Sequence, residues 1–153
     1  MSTKNLLIAS LVGGVVITLL ANLPILNFIN CLLCAGFWAG AILAVWLYKR
    51  QTGTVTLGQA VAVGTLAGLL AGVLGFVLSF TGLTGSQALL ESYAQALPPD
   101  AGVDPEMLAA LAGPAGIVLN LIGVLVNVFF GAIGGLIGGA IFKSHTPAAP
   151  PAA

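Results

Sequence analysis

Four long apolar stretches dominate the pattern of hydrophobic and polar positions along the chain. Crossing about 30 Å of hydrocarbon at about 1.5 Å per residue takes roughly 20 apolar residues, and each stretch is close to that length or longer. The first stretch ends before Pro24, the second before Lys49 and the fourth before Lys143. We therefore predict four membrane-spanning helices, over about residues 5–23, 31–48, 58–83 and 114–142.

The segment between the third and fourth stretches, residues 84–113, is more polar and contains two short amphipathic patterns. Leu89, Leu90 and Tyr93 share one face of the first, and Asp104 has the character of an N-cap for the second. We expect both short helices to lie on the membrane surface or over the mouth of the helical bundle. The Pro/Ala-rich residues 146–153 are predicted to be a disordered tail.

These elements predict an all-α fold: a four-helix transmembrane bundle with short interfacial helices in the loop 84–113, in a single transmembrane domain over residues 1–145. Composition agrees with this fold, because the 153 residues are 59% hydrophobic and 5% charged, whereas soluble domains are roughly 25% charged. A surface so poor in charge must face mainly lipid. The net charge is zero, so we expect no nucleic-acid partner.

Charged residues separate by side. All four basic residues lie before the first stretch, between the second and third, or after the fourth, and all four acidic residues lie in the loop 84–113. Because Lys and Arg concentrate on the cytoplasmic side, we predict a multi-pass protein of the cell membrane with both termini in the cytoplasm. Leu19 is too large for position −3 of a cleavage after Ala21, so the first stretch is predicted to remain as an anchor. Trp46 and Tyr48, beside Lys49, are expected to form part of an aromatic belt.

Small residues recur every four positions in each stretch, which places them on one helix face. Such faces let helix backbones approach closely in lipid, as in glycine zippers. The predicted packing positions are Gly36, Gly40, Gly64, Gly68, Gly72, Gly123, Gly131, Gly135 and Gly139. They serve either to pack the four helices together or to contact a second copy. The alternative is that the Gly-rich fourth helix lines a pore.

Ionisable residues are missing from the membrane stretches, since no Asp, Glu, Lys, Arg or His lies inside any of them. This counts against a proton pump, an ion-coupled carrier and an intramembrane hydrolase. The polar residues expected within the membrane are Asn22, Asn120 and Asn127. We expect these amides to form hydrogen bonds across helices. A polar ring around a permeant solute is the alternative role.

Cys31 and Cys34 stand at the beginning of the second stretch, which the charge pattern places at the outer face. A helix N-terminus favours the thiolate, and this face is oxidising in most bacteria. Inert packing or a structural disulfide, redox chemistry, and a metal site shared in a dimer all remain open. His145 lies on the opposite side of the membrane and cannot join the two cysteines. We predict no cofactor and no metal site within one chain.

The first half of the chain resembles small bacterial four-span membrane proteins. The matching features are Leu23-Pro24 after the first stretch, the Asn-Cys-x-x-Cys pattern from Asn30 to Cys34, the stop from Ala44 to Arg50, and the Gly-rich segment from Gly58 to Gly75. The resemblance implies a four-span topology and no activity. It supports the position of the cysteine pair, and it assigns the pair no role.

The predicted function is accordingly non-enzymatic. We expect an integral membrane protein whose helix faces pack with a second copy of itself or with the subunits of a larger membrane complex. A channel or passive transporter lined by the fourth helix is one alternative, and a thiol redox protein using Cys31 and Cys34 is another.

Overall fold

The computed structural model describes residues 3–22, 35–80 and 114–142, and nearly all of these residues are helical. The all-α prediction is confirmed for this part of the chain, which contains no strand. Each helix overlaps one of the four predicted stretches, and the last has the predicted bounds. The helices are α1 (Thr3–Asn22), α2 (Ala35–Thr52), α3 (Leu57–Ser79) and α4 (Pro114–Phe142).

Several predicted features lie outside the described residues. They are the cysteine pair Cys31 and Cys34, the short helices of the loop 84–113, and the tail 146–153. Asn22 is the last residue of α1, and its side chain is also outside what the structure describes. These features stay predictions.

Three helices, α1, α3 and α4, are long and apolar enough to cross a membrane. The qualifying segments are Thr3–Ala21, Leu57–Ser79 and Gly116–Phe142. α2 occupies the place predicted for the second span, but it continues past Tyr48 and takes Lys49 and Arg50 into its last turn. This polar turn makes α2 on average less hydrophobic than each of the other three helices.

Helix α1 packs on both α2 and α3, α4 packs on the same two helices, and the most extensive contact joins α3 to α4. Hydroxyl groups show that α1 and α3 run parallel. Ser10 Oγ donates a hydrogen bond to the Val63 carbonyl oxygen at 3.2 Å, and Thr18 Oγ1 lies 3.5 Å from the Ala71 carbonyl oxygen. Both pairs are 53 residues apart, so position rises along α1 and α3 together.

Helix α2 runs antiparallel to α1. Gly13 of α1 faces Ala44, whereas Ile17, one turn further along α1, faces Gly40. α4 is likewise antiparallel to α3, as the glycine contacts between them show. The four helices therefore alternate in direction, and the beginnings of α1 and α3 lie at the same end as the last turns of α2 and α4.

A tight turn joins α2 to α3. Gly53 adopts a positive φ of 78° and donates its N–H to the Lys49 carbonyl oxygen at 2.8 Å, which ends α2 in a left-handed cap. α3 then begins with a capping box. The Gln59 N–H donates to Thr56 Oγ1, and the Thr56 N–H donates to Gln59 Oε1. Together these bonds hold the end of α2 beside the beginning of α3.

The interior contains small and medium side chains, with Tyr48, Ile17 and Val45 among the largest that are fully buried. Tyr48 is 1% exposed, so the expectation that it joins Trp46 in a lipid-facing belt is wrong. Trp46 is 39% exposed. Successive residues of a helix are about 100° apart, so two residues separated by two positions point to nearly opposite sides. Tyr48 therefore faces the interior, and Trp46 faces outward.

The first prediction compares two glycines near the α2–α3 turn. Gly53→Ala should lower the free energy of unfolding by about 1–2 kcal/mol, because L-residues are disfavoured at positive φ. Gly58→Ala is the matched control. Gly58 is helical and a Cβ there meets nothing within 4 Å, so alanine should leave stability unchanged or raise it by up to about 1 kcal/mol. Thermal unfolding in mild detergent, followed by circular dichroism, measures both. Equal effects would contradict the left-handed cap.

Candidate functional site: small-residue interfaces and intramembrane polar groups

The α3–α4 interface is built on glycines that face each other. A Cβ at Gly64 would meet the carbonyl oxygen of Gly131 and the Cα of Gly135, the latter at 2.6 Å. A Cβ at Gly68 would meet the carbonyl oxygen of Asn127. Any side chain at these positions would therefore displace the opposite backbone. The two helices are in direct backbone contact here.

This contact is reciprocal. The carbonyl oxygen of Gly131 occupies the direction of a Cβ on Gly64, and a Cβ built on Gly131 would lie 2.5 Å from the carbonyl oxygen of Gly64. A Cβ on Gly135 would also lie 2.6 Å from a carbonyl oxygen of α3, that of Ala60. Glycine carries a Cα hydrogen in that direction, so Cα–H groups face carbonyl oxygens across the interface, each such contact contributing about 0.5–1 kcal/mol. Backbone geometry and dispersion together hold α3 to α4.

The glycine contact has two ends. Toward the end of α4, a Cβ at Gly139 would meet the Ala60 Cβ at 2.8 Å. Toward the end of α3, a Cβ at Gly72 would meet Val124. Near this end of the contact, Gly75 of α3 and Gly123 of α4 do not touch the opposite helix, because a Cβ at either residue meets nothing within 4 Å. Gly123 belongs to the predicted packing series, yet it faces open space in the structure.

A second face of α4 receives α2. A Cβ at Gly134 would lie 2.6 Å from the Ala41 Cβ, and one at Gly138 would lie 3.1 Å from the Val45 Cβ. Since residue numbers rise together along the two helices, α2 and α4 run parallel. Trp38 also borders Gly134, and its buried indole Nε1 has no hydrogen-bond partner within the described structure. Helix α4 therefore contacts α2 and α3 through two different faces, each containing glycines.

Helix α1 uses adjacent glycines for different neighbours. A Cβ at Gly14 would meet Leu70 and the Ala67 carbonyl oxygen of α3, at 2.9 and 3.0 Å. A Cβ at Gly13 would meet Ala44 and the Gly40 carbonyl oxygen of α2. Gly13 is not one of the predicted packing positions, although it lies four residues after Ala9 on the same helix face. Gly40 in turn accepts the side chain of Ile17, and Gly36 is half-buried in the first turn of α2.

The two asparagines of α4 bond to their own helix. Asn120 Nδ2 donates to the Gly116 carbonyl oxygen at 2.9 Å, and Asn127 Nδ2 donates to the Gly123 carbonyl oxygen at 2.8 Å. This differs from the expectation of bonds across helices. An acceptor four residues back is always within reach of a short polar side chain on a helix, so the amide hydrogen bonds need no neighbour.

Hydroxyl groups supply the polar contact between helices instead. The buried Ser10 Oγ of α1 reaches the Val63 carbonyl oxygen of α3. Thr18 Oγ1 donates to the Gly14 carbonyl oxygen of its own helix at 2.9 Å and lies near Ala71 of α3. Ser10, Gly14 and Thr18 share one face, so the α1–α3 contact combines a glycine notch with a hydrogen bond.

Ionisable groups are few and lie together. Within residues 3–22, 35–80 and 114–142 they are Lys4, Tyr48, Lys49 and Arg50. All four belong to the first turns of α1 or the last turns of α2, which the helix directions place at one end. The arrangement offers close packing and a cationic end.

The second prediction tests the α3–α4 contact. Gly68→Ala should lower the free energy of unfolding by about 1–3 kcal/mol, because its Cβ must displace the Asn127 backbone. Gly75→Ala on the same helix is the control. It meets nothing within 4 Å, so it should raise stability by up to about 1 kcal/mol. Thermal unfolding in detergent gives the sign of each change, and a stabilising Gly68→Ala would refute the contact.

The third prediction concerns Ser10. Ser10→Ala should destabilise the protein by about 0.6 kcal/mol, the mean value of hydrogen bonds between membrane helices. Ser79→Ala is the comparison, because Ser79 Oγ donates to Phe76 in its own helix and its loss leaves the contacts between helices unchanged. The same unfolding measurement applies. If both alanines have the same effect, the Ser10–Val63 bond does not contribute to helix association.

No protein-family model, curated protein or solved structure matches this chain. Its function is therefore inferred from its own helices, their contacts and their charges. The described residues are all-α, and three of their helices are long and apolar enough to cross a membrane.

Proposed function

We propose that this chain is a non-enzymatic integral membrane protein, a four-helix transmembrane bundle that packs with a second copy of itself or as an accessory subunit of a larger membrane complex. The observation that carries this proposal is the outward face of α4. Leu125 and Phe129 are 68% and 63% exposed there. Only 6% of the residues in the most apolar part of α4 are buried, against 33% for the corresponding part of α3. So large an apolar face is stable only against lipid or another apolar protein surface.

The position of α2 supports the proposal that it spans the membrane together with α1, α3 and α4. It packs along α1 and α4, both of which are long and apolar enough to cross a membrane. Its polar last turn, with Lys49 and Arg50, lies at the same end as Lys4, so its apolar part runs beside those of its neighbours. Residues 31–34, immediately before α2, are also apolar and would extend the span.

Charge supports the orientation. The cations of the described helices lie at one end, and the four acids of the chain lie between residues 91 and 106, in the loop that joins the other ends of α3 and α4. Under the positive-inside rule the cationic end is cytoplasmic. Both termini are then cytoplasmic, as expected for four spans in a bacterial inner membrane.

A partner helix has a place to approach on α4. Gly123 is open, and the exposed Leu119 and Val126 lie about one turn away on the same helix face. A small residue in an apolar lipid-facing surface allows close helix contact. A pore lined by Gly131 and Gly135 is less well supported, since the α3 backbone occupies the faces of both glycines. The redox role of Cys31 and Cys34 stays a prediction of the sequence.

The fourth prediction tests assembly. Native mass spectrometry after gentle extraction should give a mass above the 15.3 kDa of one chain, as a dimer or with co-purifying subunits. Gly123→Leu should shift the distribution toward the single chain, because leucine fills the open notch on α4. Its α-helical circular dichroism should match that of the parent, since a Cβ at Gly123 meets nothing in the protomer.

A monodisperse single chain without partners would overturn the packing role. A Gly123→Leu protein that assembles normally would leave the assembly intact and remove the α4 notch as its contact.

A further inference from the structure

The end of α2 presents two cations, and no carboxylate among the described residues neutralises them. Lys49 and Arg50 are consecutive residues of its last turn, and the described ranges 3–22, 35–80 and 114–142 contain no Asp or Glu. We propose that Lys49, Arg50 and Trp46 bind the phosphodiester headgroup of an anionic phospholipid. The inference rests on the proposed membrane insertion and adds a lipid partner to it.

Arg50 is held above an aromatic ring. Its guanidinium carbon lies 5.4 Å from the ring centroid of Trp46, one turn earlier on the same face of α2. The cation–π contact orients the planar guanidinium and leaves its N–H groups available. Such a fork matches two phosphate oxygens at once. Trp46 is partly exposed, and indole rings favour the level of the lipid headgroups.

Lys49 lies beside this pair, toward α4. Val45 packs against Gly138, and α2 and α4 are parallel, so Lys49 reaches the level of Phe142 at the end of α4. Lys49 is half-buried, whereas Arg50 is exposed. A phosphate between the two would therefore meet one cation from the lipid side and one from the side of α4.

The backbone that carries the cations is well fixed. Gly53 bonds to the carbonyl oxygen of Lys49 itself, and Thr52 Oγ1 lies 2.8 Å from that of Tyr48. The capping box of Thr56 and Gln59 then fixes the beginning of α3. A site whose backbone is already ordered loses less conformational entropy when a ligand binds.

Apolar surface next to the cations favours a lipid over free phosphate. Ile141 is 60% exposed and lies within about one turn of the level of Val45, by the register of Gly138. Trp46 continues this surface from α2. Acyl chains lie along such a surface while the headgroup remains at the cationic end, an arrangement that inorganic phosphate cannot use. We therefore assign the site to a diacyl lipid such as phosphatidylglycerol.

The fifth prediction is a lipid preference at Trp46. The full-length chain carrying Trp38→Phe, which leaves Trp46 as its single tryptophan, is reconstituted in vesicles that mix phosphatidylglycerol and phosphatidylcholine. One or the other lipid is brominated, and quenching of the tryptophan fluorescence is measured. Brominated phosphatidylglycerol should quench more at equal mole fraction. Removing either Lys49 or Arg50 should reduce the relative affinity for phosphatidylglycerol about fivefold, so Lys49→Gln with Arg50→Gln should reduce it about 25-fold. Added inorganic phosphate should not displace the lipid.

Lys4→Gln is the matched control, because it removes one positive charge from α1 at the same end of the bundle. It should retain most of the preference. If Lys4→Gln reduces the preference as much as Arg50→Gln, the attraction is diffuse and the site is refuted. Equal quenching by the two lipids in the parent protein, or full displacement by phosphate, also overturns it. Retention after an alkaline carbonate wash separates this failure from failure of the proposed function, since a chain that washes off is not integral.

Discussion

The structure depends on the approach of two backbones, those of α3 and α4. In lipid, apolar side chains gain little by leaving one apolar environment for another, so helices associate through dispersion at short range and through polar contacts. Gly64 and Gly131 make that range available, because each has a carbonyl oxygen of the opposite helix where a side chain would begin. This contact positions α4, and the second glycine face of α4, around Gly134, then receives α2.

The same rule applies around the bundle with different residues. Gly13 and Gly14 let α1 lie close to α2 and α3 at once, and Ser10 adds a hydrogen bond where the backbones are near. Small residues therefore lie inside and many large apolar side chains lie outside, as at Leu125 and Phe129. In water this distribution would be unstable. With lipid around the protein, the outer side chains need no cover, and the inner positions set how closely the helices pack.

Alternating helix direction gives the four described helices two different ends. Lys4, Lys49 and Arg50 all lie at one of them, because α1 begins where α2 ends. The α2–α3 turn, fixed by Gly53 and the capping box, keeps this end ordered. A fixed group of cations beside exposed Trp46 and Ile141 is suited to the boundary between lipid headgroups and acyl chains. Packing and charge together thus account for the proposed membrane role and for the lipid partner.

The sequence alone determined the helices, since the length of an apolar stretch and the polar residues or prolines that end it are local features. The bounds of α4 could be predicted from the sequence. So could the small-residue faces, which include Gly64, Gly68, Gly131 and Gly135. Only the tertiary structure decided which faces meet. A spacing of four residues defines a face, but it does not name the neighbour, so Gly123 is open and Gly13 is packed. The spacing also does not determine which face of a helix turns inward, and only the packing of α2 decided that Tyr48 is buried. Asn127 bonds to its own helix because the carbonyl oxygen of Gly123, four residues earlier, is within reach of its side chain.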